Sequence, residues 1–227
     1  MDTGERAYEK IINYVEQQVM QGRYKKGDKL PPERELAALL GASRNSVREG
    51  LGILERMGAI SSQQGAGNFI SDNFEKTLIE VMTLMFILEE GTFREISEFR
   101  YALETQALAL AMEHISKKQL ADIEYYMSML EKTPEEDMKA YYDKMIHYTI
   151  TAASGNRFII DNLQALTAVM DVFIKDMRAK ILSDGSNSEG LMAAHREMVE
   201  ALREKNMEKG MRALKVHFEY IYEYIDG

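Results

Sequence analysis

The sequence predicts a mainly α-helical protein with two parts: three short helices closed by a β-hairpin, and then a longer all-α antiparallel helical bundle. Three observations lead to this prediction. The chain has 227 residues, more than the roughly 100–200 of a single domain. Helical spacing of apolar residues gives way to a short alternating stretch near residue 60, and helix signals then run from about residue 75 to the end.

The composition sets outer limits on the function. The hydrophobic fraction of 45% is ordinary for a folded protein with a buried core, and the absence of cysteine excludes disulfides and thiolate metal sites. The polar start MDTGERAYEK does not resemble a signal peptide, and no apolar run approaches the roughly 20 residues of a membrane helix. We therefore expect a cytoplasmic protein with no membrane partner.

The charge is unevenly distributed along the chain. A net charge of −9 argues against nucleic acid as a partner, because DNA binding uses Lys and Arg against the phosphates. Residues 1–72, however, hold ten of the 28 basic and ten of the 37 acidic residues. The whole acidic excess therefore lies in residues 73–227, and the neutral first part remains compatible with DNA.

A first helix is predicted over residues 5–21. Its apolar residues recur at helical spacing, and Gly22 follows its end; they are Tyr8, Ile11, Ile12, Val15 and Val19. Pro31 and Pro32 must lie at or before the first turn of the next helix, because proline has no amide hydrogen to donate. That second helix has one apolar face and ends at Gly41; the face consists of Leu36, Leu39 and Leu40.

Ser43 is a good N-cap for a third helix, and Gly58 follows its end. One face of this helix is apolar, with Val47, Leu51 and Leu54. Residues 59–64 and 68–70 then predict two short strands joined by a tight turn at Gly65 and Gly67. Three helices and a hairpin are the plan of a winged helix-turn-helix, which we assign to residues 1–72.

Residues 73–227 show no strand alternation and no internal repeat. Helix starts are predicted at three capping boxes, which pair Thr92 with Glu95, Ser116 with Gln119, and Thr133 with Glu136. Pro134 suits a first helical position, and breaks are predicted at residues 154–156, in a loop over residues 183–188, and near Asn206. The second domain is therefore predicted to be an antiparallel helical bundle.

The third helix presents a basic face. At about 100° per residue, Arg44 and Arg48 lie about 40° apart, with Asn45 beside them, while the apolar residues point the other way. A guanidinium suits both phosphate and the O6/N7 edge of guanine, and we expect Arg34 to reach the same groove. The alternative is that these are ordinary solvated charges.

Three of the four histidines are predicted to face inward. Asp143 and His147 lie four apart on a helix expected to open at Thr133 and Pro134, about 6 Å apart at Cβ. His195 and His217 each interrupt the apolar stripe of their own helix. A single such histidine is more often a hydrogen-bonded core residue. The coincidence of three with an aspartate favours a metal site.

The N-terminal motifs together resemble the winged helix of the GntR superfamily of bacterial transcription regulators. They are LPPERELA at residues 30–37, GASRNSVREGL at 41–51 and GAGNFI at 65–70. The resemblance implies DNA contacts by five residues, Arg34, Arg44, Asn45, Ser46 and Arg48. It also implies that Gly65 and Gly67 lie against the minor groove. Ala66 stands where a basic residue is frequent, which weakens the expected wing contact.

The second half resembles the FCD effector domain of the FadR subfamily, in its metal-binding form. The matching residues are RYALE at 100–104, the Asp143 and His147 pair before ASGN at 153–156, AHRE at 194–197, and His217. The resemblance implies that Asp143, His147, His195 and His217 hold a divalent ion. Zinc is foremost, with nickel, iron or manganese as alternatives, because three imidazoles and a carboxylate suit all four.

Arg100 is the candidate effector residue, pairing with an acidic group of a small carboxylate bound at the ion. It is equally able to form a structural ion pair with Glu104 or Glu98. The predicted function is a homodimeric regulator, foremost a repressor, whose affinity for palindromic operator double-stranded DNA is controlled by that acid. Two alternatives remain: a regulator that senses the ion itself, and a metal-dependent hydrolase, which lacks an obvious base and leaves the winged helix unexplained.

Overall fold

The computed structural model describes residues 6–72, 74–173 and 188–226. The chain divides into two compact units, residues 1–78 (the first unit) and 79–227 (the second unit). Within the described ranges, no helix is both long enough and apolar enough to span a bilayer.

The first unit has the predicted three helices and hairpin. Its elements are α1 (Glu9–Met20), α2 (Glu33–Leu40), α3 (Arg44–Arg56), β1 (Ile60–Gln63) and β2 (Gly67–Ile70). Aliphatic side chains from every element form one core, which consists of Ile11, Val15, Leu30, Leu36, Val47, Leu51, Leu54, Ile60 and Ile70. The predicted winged helix-turn-helix is confirmed.

The junction between α2 and α3 follows the predicted chemistry. Gly41 ends α2 with a left-handed φ of 59°, and Ser43 caps α3 by accepting a hydrogen bond from the backbone N–H of Ser46. Gly50 lets α3 approach α1 closely, since a Cβ there would lie 2.8 Å from the Cβ of Ile11. Gly41 and the Ser43 cap therefore determine the turn between α2 and α3, and Gly50 permits the close contact of α3 with α1.

The wing is an antiparallel hairpin in which Ile60 pairs with Ile70 and Gln63 with Gly67. Gly65 and Gly67 have φ values of 76° and 109°, which side chains with a Cβ rarely adopt. Phe69 also bridges to Lys29, which joins the wing to the segment before α2.

Every secondary-structure element described in the second unit is a helix, and the boundary at residue 78 falls within the first of these helices. The remaining helices are α4 (Glu75–Leu88), α5 (Phe93–His114), α6 (Lys117–Lys132), α7 (Glu136–Ala153), α8 (Arg157–Phe173), α9 (Ser188–Glu204) and α10 (Met207–Asp226). Helix α5 packs against α7, α8 and α10, while α9 packs against α6 and α10. This arrangement confirms the helical-bundle prediction.

Several local predictions need correction. Helix α1 begins at Glu9, and Tyr8 precedes it as N-cap. Leu39 is 61% exposed, because α2 packs on α3 and α1 through the side that carries Leu36.

The third predicted capping box is also wrong. Thr133 ends α6, donating its backbone N–H to Met129, and α7 begins at Glu136 with Glu135 as N-cap. The physical reason is the conformation of Glu135, which is extended with φ −77° and ψ 123°, so the helical turn that a Thr133 cap requires does not form. Breaks at Gly155 and Lys205 agree with the prediction. The predicted loop over residues 183–188 lies outside the described residues, apart from Ser188, where α9 begins.

Candidate metal centre and candidate nucleic-acid interface

Three helices of the second unit bring the four predicted metal ligands together. Asp143 and His147 come from α7, His195 from α9 and His217 from α10. All four are buried, and one ligand atom from each lies within 4.8 Å of the others. Residues up to 74 positions apart in sequence therefore meet at one point in the bundle core.

The apolar stripes of α9 and α10 bring the two later histidines inward. Leu191, Met198 and Leu202 flank His195 on α9 and are at most 4% exposed. Because the whole stripe is buried at the helical period, the histidine in its middle has no route to solvent. The same holds on α10 for His217, which lies beside buried Leu214 and Ile221.

Hydrogen bonds determine which ring nitrogen of His147 and of His195 faces the cluster. His147 Nδ1 lies 2.6 Å from Glu104 Oε2, and His195 Nδ1 lies 2.9 Å from the backbone oxygen of Leu191. Both partners are acceptors, so both Nδ1 atoms carry the hydrogen. In the neutral ring each Nε2 is then a bare acceptor.

These bare acceptors converge. His147 Nε2 lies 3.2 Å from His195 Nε2, and His195 Nε2 lies 3.0 Å from Asp143 Oδ1. Neutral rings cannot hydrogen-bond to each other through two lone pairs, and the carboxylate oxygen is also an acceptor. Three acceptors facing one point with no hydrogen between them form a set that fits a cation.

Burial favours the neutral form of the rings. It lowers the pKa of His147 below its ordinary 6.5, even though Glu104 opposes the change. Burial also lowers the pKa of His217 well below 6.5, and the neighbouring His195 and His147 add to the effect.

His217 supplies a further observation. Its Nδ1 is buried and finds no hydrogen-bond partner among the described residues. A buried polar atom without a partner costs about 1–3 kcal/mol. Engagement with an ion held by this cluster removes that cost, so the donor set fits a divalent metal of the zinc, nickel, iron or manganese type.

Glu104 is a site residue whose role was missed in the sequence. It is buried on α5, accepts from His147 Nδ1 and forms an ion pair with Arg100. Burial by itself raises the pKa of Glu104, but Arg100 and His147 outweigh it and lower the pKa to about 2. Carboxylates in this position orient metal-binding histidines. The signal was the Arg100–Glu104 spacing of four residues.

Arg100 lies in the core rather than in an open pocket. It is 5% exposed, and its guanidinium carbon lies 5.4 Å from the centre of the Phe218 ring. Of the two ion pairs considered from the sequence, the one with Glu104 is present, whereas Glu98 pairs with Arg94.

The predicted DNA-contacting residues of the first unit are accessible on its surface. Arg34, Arg44, Asn45 and Arg48 are exposed, and Ser46 is half-buried because its backbone and hydroxyl bond to Ser43. A surface cleft joins the helices to the wing, and among its lining residues are Arg34, Arg44, Arg48, Gly65 and Gly67.

The chain matches two family models in the same order as the two units. Residues 7–70 match the model described as bacterial regulatory proteins, gntR family, and residues 95–220 match the FCD domain. The chain belongs to the GntR family of bacterial regulatory proteins and carries an FCD domain. It is therefore a DNA-binding transcription regulator and not an enzyme, which removes the hydrolase alternative.

Relatives of this GntR-family regulator cover most of its length. A protein of Escherichia coli K12 named for regulation of the L-lactate dehydrogenase operon is 26% identical over 202 residues, 86% of this chain and 77% of the relative. The transcriptional repressor NanR of Salmonella newport is 24% identical over 217 residues, 94% and 83% of the two chains. A solved GntR protein of Streptococcus agalactiae shares the fold, with a TM-score of 0.64, 21% identity and coverage of 96% and 99%.

Proposed function

We propose that this protein is a cytoplasmic, homodimeric repressor whose affinity for a palindromic operator is set by a small organic acid bound at a divalent ion. The observation that carries the proposal is the convergence of His147 Nε2, His195 Nε2 and Asp143 Oδ1 without a hydrogen between them. The FCD match and the resemblance to the FadR subfamily support the same reading.

Asp143, His147, His195 and His217 would hold the ion. When bound, the ion supplies a positive centre for a carboxylate oxygen, at a coordination position that the four side chains leave open. The names of the relatives, an L-lactate dehydrogenase operon regulator among them, are compatible with an acid as the signal.

Arg100 is proposed to pair with a second acidic group of the effector. Its partner Glu104 also holds His147, so a chain of contacts runs from Arg100 through Glu104 to the ion site. An effector carboxylate that competes for Arg100 would loosen its pairing with Glu104. Such competition links effector binding to the packing of α5 against α7.

The space beside His147 is small. A cavity of about 10 Å³ lies against Glu104, His147, Thr151 and Met198. That volume suits about one water molecule and is too small for a carboxylate. An acid that enters from this side has to move α5, α7 or α9 apart. The effector then binds an opened arrangement better than the closed one, which is the differential affinity that regulation requires.

In the first unit, Arg44 and Arg48 are proposed to read base edges in the major groove. Three neighbours are proposed to contact a base or a phosphate, namely Arg34, Asn45 and Ser46. Gly65 and Gly67 are proposed to lie in the minor groove. Their shared exposure beside one cleft supports this assignment. A palindromic operator follows from two copies of the chain presenting the same helix to two half-sites.

The test is release of operator DNA, with the operator obtained by selection from a randomised duplex pool. The fraction bound is measured after adding zinc or nickel alone, then after adding dicarboxylates or hydroxy acids to the metal-loaded protein. Release by an acid only when metal is present supports the proposal. Release by metal alone favours the regulator that senses the ion, and insensitivity to both contradicts either form.

A further inference from the structure

A carboxylate lies within the basic DNA-facing surface of the first unit. Glu33, the first residue of α2, lines the same cleft as Arg34, Arg44 and Arg48. Its Oε2 lies 2.7 Å from Nε of Arg48, with the two side chains 36% and 66% exposed. This ion pair joins the start of α2 to the second turn of α3.

Stability explains the position of Glu33 only in small part. A carboxylate in the first turn of a helix stabilises it by about 0.3–1 kcal/mol, and Glu35 occupies the same turn. Ion pairs between exposed side chains contribute little to folding. A negative charge on a phosphate-binding surface also opposes the approach of DNA, so an effect on specificity is a further physical reason for this carboxylate.

The geometry of the pair suggests that effect. A guanidinium has a side edge formed by Nε and one Nη, and an end edge formed by the two Nη atoms. A carboxylate on Nε occupies the side edge and leaves the end edge free to donate two parallel hydrogen bonds. The O6 and N7 atoms of guanine accept this kind of two-fold contact.

Glu33 also biases the choice between base and backbone. A carboxylate beside the guanidinium partly neutralises it and repels a second anion, so the advantage of a phosphate over a neutral purine edge as a partner of Arg48 becomes smaller. Holding the side chain in one rotamer removes part of the ordering cost before DNA arrives. Within the described residues, Arg34 and Arg44 form no ion pair, so no carboxylate holds either guanidinium in this way.

We propose that Glu33 is a positioning residue for DNA recognition, which holds Arg48 by Nε and directs its two terminal nitrogens to a guanine in each operator half-site. The inference rests on the proposed base contact of Arg48. It adds that base selectivity at this position depends on a residue of α2 that does not itself touch the base.

The test compares Glu33→Gln with Glu35→Gln. Both variants remove one negative charge from the first turn of α2, and Glu35 is exposed. Dissociation constants are measured for the selected operator, for operators with each single base pair changed, and for an unrelated duplex. Arg48→Ala identifies the base pair that Arg48 reads, as the position where its discrimination disappears.

We expect both glutamine variants to bind the unrelated duplex a few-fold more tightly, because each loses a repelling charge. For Glu33→Gln alone, the ratio of the dissociation constants of the changed and the selected operators should also fall about tenfold. This fall should occur only at the base pair identified by Arg48→Ala. Melting temperatures of both variants should match the parent protein, which separates this effect from misfolding.

Three results would overturn the inference. Full discrimination in Glu33→Gln would show that Arg48 needs no positioning. Loss at a different base pair would show that Glu33 itself contacts a base, for instance a cytosine amino group. If Arg48→Ala changes no base-pair preference, the proposed role of Arg48 fails together with the inference. If Arg48→Ala loses discrimination at one base pair and Glu33→Gln keeps full discrimination there, only the inference about Glu33 fails.

Discussion

The two units place their candidate functional side chains in opposite environments. In the first unit the candidate DNA-contacting arginines are exposed, and the core is aliphatic. In the second unit Arg100, Glu104, Asp143, His147, His195 and His217 are all at most 5% exposed and lie within the core.

This contrast predicts how function and stability are related. Exposed charges cost little to fold, so replacing them should change binding and leave stability alone. Buried charges must be satisfied by partners, so replacing them should change both binding and stability. The predictions below are ordered from the largest expected effect to the smallest, and each is a way to break or sharpen this contrast.

Loss of the metal should give the largest effect. His195→Ala combined with His217→Ala should abolish stoichiometric metal in elemental analysis of the purified protein. For an ion at about 1,000 times its Kd, removing it costs about 4 kcal/mol of stability, so a chelator should lower the melting transition of the second unit. The transition of the first unit should not move. His114→Ala is the control, because His114 is exposed. Full metal retention in the double variant would show that the site lies elsewhere.

Arg44→Ala and Arg48→Ala should act only on binding. Each is expected to weaken operator binding by about 1–3 kcal/mol if the arginine reads a guanine. Their unfolding free energies should stay within about 0.5 kcal/mol of the parent value. Arg56→Ala, in the last turn of the same helix, is the matched control. Unchanged binding in both variants would reject the recognition-helix assignment, and a large loss of stability would break the contrast.

Glu104→Gln tests whether a residue that does not touch the ion still controls it. Loss of the carboxylate that orients His147 should weaken metal affinity about 10–100-fold. Competition with a chromophoric chelator measures this affinity directly. Glu98→Gln is the control, since Glu98 forms its ion pair with Arg94 instead. Equal affinities in the two variants would make Glu104 a purely structural partner of Arg100.

The metal-free protein should lose stability as the pH falls below about 6.5. The folded pKa values of His147 and His217 are lowered by burial, so below 6.5 the unfolded chain binds protons that the folded chain does not. Glu104, with a folded pKa of about 2 against an ordinary 4.5, adds to the loss only below about pH 4.5. Urea unfolding at pH 7.5, 6.5 and 5.5 measures the histidine contribution by itself. Bound metal should raise the stability at each pH without flattening this dependence, because the coordinated rings of the folded chain also bind no protons while the unfolded chain still gains them.

The sequence predicted most of what depends on local chemistry. Ser43, Gly41 and the paired glycines of the wing determine turns through their own backbone preferences, so the first unit followed from its motifs. The four metal ligands were named from the spacing of Asp143 and His147, from the two imidazoles within apolar stripes, and from the resemblance to the FCD domain. The capping box at Thr133 was predicted wrongly because Glu135 is extended and α7 begins only at Glu136, although the spacing of Thr133, Pro134 and Glu136 fits a helix start.

Contacts between side chains on different helices could not be predicted from the sequence. Nothing local indicates that Glu104 of α5 reaches His147 of α7, 43 residues away, or that Glu33 reaches Arg48 across two helices. Such pairs depend on how helices pack, and the same side chains at other packing angles would have other partners. The exposure of Leu39 has the same origin, since periodicity predicts the apolar face of a helix but not how much of that face a neighbouring helix covers.

Ser43→Ala should give the smallest effect and the sharpest test of the contrast, because Ser43 is an exposed residue with a structural role. Its Oγ accepts from Ser46 N at 3.1 Å, and losing this cap should cost about 1 kcal/mol of first-unit stability. Ser43→Asp restores a capping oxygen but brings a negative charge to the DNA-facing end of α3. It should therefore recover the stability measured by urea unfolding but not the operator affinity, which phosphate repulsion lowers. If Asp restores both, the start of α3 does not face the DNA backbone, and the proposed orientation of the helix is wrong.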